Sequence, residues 1–261
     1  MHFDAFDSYL PGSSPVHRRD PRVKIVCCLL FILSAVLLPD GAWTGFGLAW
    51  LIVLAIALWG GIAPSVLLRR SLVAAPFALT ALTLPFTLPG DPVAHWSLGR
   101  FALTISDAGI LRFSGIVIRS WLAVQAAVIL TTTTQFPDIV HGLRHLRVPD
   151  LITGILAFMY RYLFVLADEA LRLLRARDAR SAAAPGRTAG LPLRRRAGVA
   201  GGMVGQLFLR SLDRSDRVHR AMQARGYAGE LLTMNPHVMA RADWFALAAA
   251  GAVVLLPHIL G

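Results

Sequence analysis

Lysine is nearly missing from this 261-residue chain: Lys24 is the single one, and no Gly-x-x-x-x-Gly loop precedes it. The lysine that would hold nucleotide phosphates in a Walker loop is absent, so the chain is not expected to energise anything by itself. Acids are scarce as well. The 15 Asp and Glu residues are mostly isolated or stand four residues before an arginine, and they form no aspartate-rich motif. That argues against an integral membrane enzyme acting on a lipid or prenyl substrate, which needs clustered carboxylates for magnesium pyrophosphate or a histidine and arginine constellation. The two cysteines, Cys27 and Cys28, are adjacent and cannot close a loop, which leaves little room for disulfide or redox chemistry. Residues 1–21 contain Asp4, Asp7, Pro11 and Pro15 but no apolar stretch ending in a small-residue cleavage site, so no cleavable signal is expected.

Apolar residues are what the chain has in excess. At 56% hydrophobic residues and a mean hydropathy of +0.59 it is too apolar for an ordinary soluble domain, while a net charge of +11 is too high for membrane spans alone. The two properties are segregated along the sequence. Apolar windows over 23–38, 43–59, 72–88, 116–134 and 244–260 hold the hydrophobic mass, against about 20 apolar residues needed to cross a hydrocarbon core. Several are short, so they must stand upright, thin the bilayer or lengthen by snorkelling flanks, as Lys24 is placed to do. Trp43, Trp59 and Trp244 fall at segment ends, where interfacial aromatics belong. Phe3, Phe6, Tyr9 and Leu10 are expected along the membrane surface.

With a cytoplasmic N-terminus and five spans, 23 of the 26 basic residues fall on the cytoplasmic side, leaving Arg100, Arg112 and Arg119. The opposite orientation would invert the positive-inside bias. The expected order is a cytoplasmic or interfacial segment over 1–22, a four-span bundle over 23–135, a cytoplasmic region over 136–240 and a final span over 241–261. Pro39–Ala42 and Pro89–Gly115 become outer loops. Arg119 is expected to snorkel outward from the fourth span. Pro76 and Pro85 are read as kinks in the third.

The region before the final span carries the partner-binding signal. From Leu151 to about Arg180, Leu151, Ile155, Met159, Tyr162, Leu166 and Leu173 recur at helical spacing, with Asp168 and Arg172 as an acid-first pair. Pro185, Gly186 and Gly190 then interrupt. A second amphipathic helix from about Ala200 carries Val204, Phe208, Leu212, Val218 and Met222, with acid-first pairs Asp213–Arg217 and Asp216–Arg220, and should end at Gly226 in a left-handed cap. Two short arginine motifs, Ala179-Arg180-Ser181 and Ala224-Arg225-Gly226, thus lie at the ends of two helices, where the helix dipole favours a cation. Arginines merely solvated or bound to anionic lipid would need no such matched placement, and a basic regulatory anchor leaves the spans unexplained.

Further elements complete the pattern: Ser14-Pro15-Val16-His17-Arg18 and Asp20-Pro21-Arg22-Val23-Lys24 before the first span, and Thr132-Thr133-Thr134 with Phe136-Pro137 after the fourth. Tyr160-Arg161-Tyr162-Leu163-Phe164 and Asp168-Glu169 follow in the first long helix, and Tyr227 follows the second motif. With the two arginine motifs, these make the chain resemble the transmembrane T component of an energy-coupling factor (ECF) transporter, of the cobalt type called CbiQ. The resemblance implies an all-α integral membrane protein with about five transmembrane helices and a cytoplasmic pair of long amphipathic coupling helices, crossed in that family. It implies a non-catalytic subunit of the bacterial cytoplasmic membrane, with two CbiO-like ATP-binding-cassette (ABC) ATPases, a CbiM-like substrate-binding membrane component and a small CbiN-like subunit as partners. Ala179, Arg180, Ser181, Ala224, Arg225 and Gly226 become the ATPase-coupling residues, each arginine entering a groove on one ATPase. The basic stretch Arg194-Arg195-Arg196 departs from this pattern.

Neither a cofactor, a resident metal nor nucleic acid is expected. His141 and His145 are four apart and could share a helix face, the spacing of a two-histidine metal site, but Arg144 and Arg147 add positive charge beside them. His2 is read as a terminal histidine. His95, near Asp91, is similarly weak.

Overall fold

A computed structural model describes residues 9–98, 101–180, 193–229, 239 and 241–260. The architecture is helical, as expected, with one addition. The helices α1 (Pro21–Leu37), α2 (Trp43–Trp59), α3 (Pro64–Ser71), α4 (Ala75–Ala81) and α5 (Leu84–Thr87) precede a hairpin of β1 (Pro92–Leu98) and β2 (Phe101–Ser106). Then come α6 (Asp107–Thr133), α7 (Phe136–His145), α8 (Asp150–Arg180), α9 (Leu193–Ala224) and α10 (Arg241–Leu260). Two compact units result, one of residues 2–146 with 236–261 and one of residues 147–235.

The first unit is a bundle. Asp20 caps α1 by accepting from the Arg22 amide, and Pro21 starts the helix with φ already fixed. Phe31, Ala35 and Leu38 of the α1 arm meet Phe46, Ala49, Val53 and Ala57 of α2 and Leu122, Ala126 and Ile129 of α6 in one buried cluster. Helices α1 and α2 also pack against α10, where the Ser34 hydroxyl donates to the Val254 carbonyl at 2.9 Å. Leu29, Leu33, Leu51, Trp59, Val73, Phe77 and Leu79 remain exposed around this core. In a helix that meets hydrocarbon such residues need no protein partner.

The third apolar window is longer and more broken than its hydropathy indicates. It begins at Pro64, because Arg69 and Arg70 lower the sequence average without stopping the helix, and it runs to Thr87 through a 3₁₀ turn at Leu72–Ala74. Pro76 and Pro85 each fall at the start of a new helical piece, where their missing N–H costs least. The fourth window also grows. The Ser106 side chain accepts from the Gly109 amide and Asp107 follows in the first turn, so α6 starts at Asp107 inside the segment read as an outer loop. The rest of that segment contains the antiparallel hairpin, with Leu98 opposite Phe101 and Ala94 opposite Ile105.

Two charges read as snorkelling are instead tied down. The Lys24 ammonium donates to the carbonyls of His17 and Thr133, each at 3.0 Å, fastening the end of α6 to the segment before α1. Nearby the Leu10 amide donates to the Thr132 carbonyl, and His17 Nε2 donates to the Leu10 carbonyl while Nδ1 meets the Ser14 hydroxyl at 2.7 Å. At the other end Arg119 turns toward Asp40 in the α1–α2 loop, at 2.7 Å, and donates to the Leu38 carbonyl. The Asp40 carboxylate rests on Gly115, where a Cβ would stand 2.5 Å from Oδ1, and Arg112 approaches it from the exposed side. Asp40 and Arg119 lie 79 residues apart, a separation no local pattern reveals. Phe3, Phe6, His2 and Arg100 lie outside the described residues.

Helix α7 packs on α1 within the same unit. His141 is buried there, its ring 4.5 Å from that of His145, and His145 Nδ1 donates to the His141 carbonyl at 3.0 Å. One nitrogen of the pair is thereby committed to the backbone, and among the described residues no three His, Cys, Asp or Glu side chains gather as a metal site.

Candidate coupling site

The second unit is built from two helices of similar length, α8 with 31 residues and α9 with 32. They pack on each other, and almost nothing in them is buried: Thr153 and Gly154 are the buried residues of α8. Helix α8 is bipartite. Between Leu151 and Ala167 the only charge is Arg161, and Leu151, Ile155, Met159 and Leu163 are exposed. From Asp168 to Arg180 the surface turns charged. The apolar half makes α8 long and apolar enough to cross a membrane by composition, as are the Pro64–Thr87 run and α6.

Helix α9 begins at Leu193, seven residues before the expected Ala200, so Arg194, Arg195 and Arg196 occupy its first turn. Its half-buried positions, Met203, Leu207, Ser211, Arg214, Val218 and Met222, follow a spacing of four, four, three, four and four, one stripe of an α-helix. Val204, Phe208, Leu209 and Leu212 are exposed. Gly198, Gly201, Gly202 and Gly205 have open space around them, enough for another backbone to approach closely.

The second arginine motif has a fully legible local cause. Ala224 is the last helical residue, Arg225 the C-cap, and Gly226 takes φ +81°, a left-handed conformation that a side chain would strain. The Gly226 amide donates to the Gln223 carbonyl and the Tyr227 amide to the Met222 carbonyl, each at 3.0 Å. These are the two hydrogen bonds of a Schellman termination. Alanine, arginine and glycine therefore have separate tasks: to continue the helix, to occupy its tip, and to end it. Arg225 is exposed.

The first motif ends α8 differently. Ala179 and Arg180 are its last two residues, and Arg180 is exposed; Ser181 lies outside the described residues. Arg177 and Arg180 occupy the last turn, where each cation gains about 0.3–1 kcal/mol from the helix dipole. Arg177 is engaged by Asp178, Nη2 to Oδ1 at 2.7 Å. The structure thus places the two motif arginines at the C-terminal ends of two helices that pack together.

One residue at that packing surface was mis-assigned by spacing alone. The expected pair was Asp168 with Arg172, but Arg172 meets Glu169, Nη2 to Oε2 at 3.2 Å, and the other Glu169 oxygen binds Arg210 of α9. Glu169 sits three residues after Leu166 and four before Leu173, an acid within the apolar stripe, and that position was the available signal. In α9, Arg220 Nε donates to the Asp216 carbonyl at 3.2 Å.

Residues 12–235 match the family model described as cobalt transport protein, CbiQ. The chain is 29% identical to the energy-coupling factor transporter transmembrane protein EcfT of Lactobacillus helveticus, over 85% of this chain and 80% of that one. It is 30% identical to the cobalt transport protein CbiQ of Rhodobacter capsulatus over 60% of this chain and 62% of the relative, and 28% identical to that of Salmonella typhimurium over 61% and 72%.

Proposed function

The chain belongs to the CbiQ family, the transmembrane T components of ECF transporters, and on that premise we propose that Arg180 and Arg225 are its two contacts with a pair of ABC ATPases. As a family member it is a multi-pass, non-catalytic subunit of a complex that also contains ATPases and a substrate-binding component. The finer reading is that each helix tip enters an acidic groove on a separate, CbiO-like ATPase. The planar arginine fork suits such a groove, because it can donate two parallel hydrogen bonds to one carboxylate. Closure of the ATPases on ATP then moves both tips, and α8 and α9 carry that movement toward the membrane-embedded partner as rigid levers.

The observation that carries this reading is the termination of α9, where Gly226 and two backbone hydrogen bonds leave Arg225 exposed at a fixed helix end. Co-expression of the chain with its ATPases, followed by affinity recovery, tests it. Arg180→Glu or Arg225→Glu is expected to weaken recovery, and the double reversal to abolish it, since a repelling pair is worse than a missing one. Unchanged recovery by the double variant would refute the docking role.

The orientation follows the arginines. We place residues 136–240 on the cytoplasmic side of a bacterial membrane, with the apolar half of α8 and the exposed apolar residues of α9 against the bilayer and the substrate-binding component. A second arrangement has α8 crossing the membrane, which its composition permits. It would carry the nine arginines from Arg187 to Arg225 to the outer side, against the positive-inside bias.

The proposed cargo is a cobalt ion, carried by a CbiM-like component, with or without a CbiN-like subunit. Support comes from the family model and from relatives named cobalt transport proteins. Relatives named only as energy-coupling factor components align over more of the chain, so the cargo is the first element to test. Uptake of labelled cobalt by the assembled complex, with nickel as competitor, decides it. Transport indifferent to cobalt would remove that assignment and leave the coupling role standing.

A further inference from the structure

We propose that Glu169 is a positioning residue that pins α8 to α9 and sets the spacing of the two arginine tips; this rests on the reading that those tips engage the ATPases. The Glu169 carboxylate is divided between helices, with Oε2 on Arg172 of its own helix at 3.2 Å and Oε1 on Arg210 of the other. Its side chain is 17% exposed, whereas Arg172 and Arg210 are 61% and 56% exposed, so the acid occupies the contact and the guanidinium groups reach it from outside.

The charge pattern explains why a pin is needed. Beyond this point α8 carries Arg172, Arg175, Arg177 and Arg180, and α9 carries Arg210, Arg214, Arg217, Arg220 and Arg225. With Asp178 on α8 and Asp213 and Asp216 on α9 counted, each of these segments still carries a net charge of about +3, so like charge accumulates on both sides of the contact. Glu169 places one negative charge between them where they pack. Eleven residues separate Glu169 from Arg180 and fifteen separate Arg210 from Arg225, lever arms of about 16 Å and 22 Å at helical rise. A rotation about the pin therefore moves the Arg225 tip farther than the Arg180 tip. Ion pairs this exposed contribute little to folding, so the function of this one is geometric.

The test uses the full complex of this chain, its ATPases and its substrate-binding component, in liposomes. Spin labels replace Asp178 and Gln223 in a chain lacking Cys27 and Cys28, and the distance between them is measured beside ATPase recovery and substrate imported per ATP hydrolysed. Glu169→Gln is expected to leave recovery and melting temperature nearly unchanged, to broaden the tip-to-tip distance distribution, and to lower import per ATP by about fivefold or more. The exchanged pair Glu169→Arg with Arg210→Glu, made together with Arg172→Gln so that no like charge faces position 169, should narrow the distribution again and restore most of the import. A distribution that stays narrow in Glu169→Gln, or an exchanged pair that fails to restore it, overturns the pin. The distances can also be read on the chain alone, so the pin is decided even if double reversal of Arg180 and Arg225 leaves ATPase recovery intact and removes the docking reading instead.

Discussion

The bundle of residues 2–146 with 236–261 and the arm of residues 147–235 solve different physical problems with the same helical means. In the bundle, Ala57, Gln125 and Thr132 are fully buried, and a cluster running from Phe31 to Ile129 fills the space between α1, α2 and α6. In the arm, α9 contributes no buried residue among those described and α8 contributes two. Close side-chain packing, with interhelical hydrogen bonds such as Ser34 to Val254, holds the first together. In the arm, helix terminations and a half-buried stripe on α9 shape the helices, and one carboxylate shared between them fixes their contact while adding little stability. Its apolar residues need a bilayer or another subunit to cover them, and its stability in isolation should be correspondingly low.

Topology tests this contrast by an all-or-none effect. In a chain without Cys27 and Cys28, a cysteine at Gln223 should react with membrane-impermeant reagent only after the cells are opened. Labelling of intact cells would place the arm outside and make α8 a crossing helix.

A smaller effect should separate the stability of the bundle from the working of the arm. Asp40→Asn removes the partner of Arg119 on Gly115, and Arg119 is 18% exposed. Breaking a fully buried pair costs about 3–5 kcal/mol, and partial exposure reduces this to roughly 1–3 kcal/mol. Thermal melting in detergent should fall accordingly, with ATPase recovery from folded protein unchanged. A loss of recovery without loss of stability would mean that the Asp40–Arg119 clasp acts on the arm.

Gly226→Ala should do the reverse. A side chain at φ +81° costs about 1 kcal/mol locally, with no effect on the melting of the bundle. Its consequence is a loosened Arg225, read as weaker ATPase binding by roughly fivefold in a titration. Wild-type affinity in this variant would show that the Schellman turn does not orient the tip.

The smallest effect concerns Gln125, whose amide oxygen and nitrogen are buried without a hydrogen-bond partner among the described residues. Gln125→Met keeps the volume and removes the unsatisfied amide, so melting should stay the same or rise by about 1 kcal/mol equivalent. A marked destabilisation would reveal that the amide is satisfied inside the bundle.

The two regions were also legible to different degrees. Helix α8 and the end of α9 could be read because periodicity and a terminal glycine are local properties, and both arginine motifs fall at helix ends for that reason. Hydropathy located the bundle's helices but misjudged their ends wherever charge lies inside a helix: Arg69 and Arg70 hid the start at Pro64, and Arg112 with Gly115 made the first turns of α6 look like loop. The hairpin was missed because its strands were absorbed into that presumed loop. Arg119 with Asp40, and Glu169 with Arg210, pair across 79 and 41 residues, and only the folded chain chooses between Asp168 and Glu169. Of the six residues expected to couple to the ATPases, Ser181 lies outside the described ones, whereas Ala179, Arg180, Ala224, Arg225 and Gly226 stand at the ends of α8 and α9.

Cross-linking from the tips tests the central claim most directly. A photoreactive group on a cysteine replacing Arg177 or Gln223, one helical turn or less from Arg180 and Arg225, should yield an adduct with one ATPase subunit from either position in the assembled complex, and the doubly modified chain should yield a species with two. Adducts with lipid alone, or capture of an ATPase from only one of the two positions, would contradict an account in which each helix end engages its own ATPase.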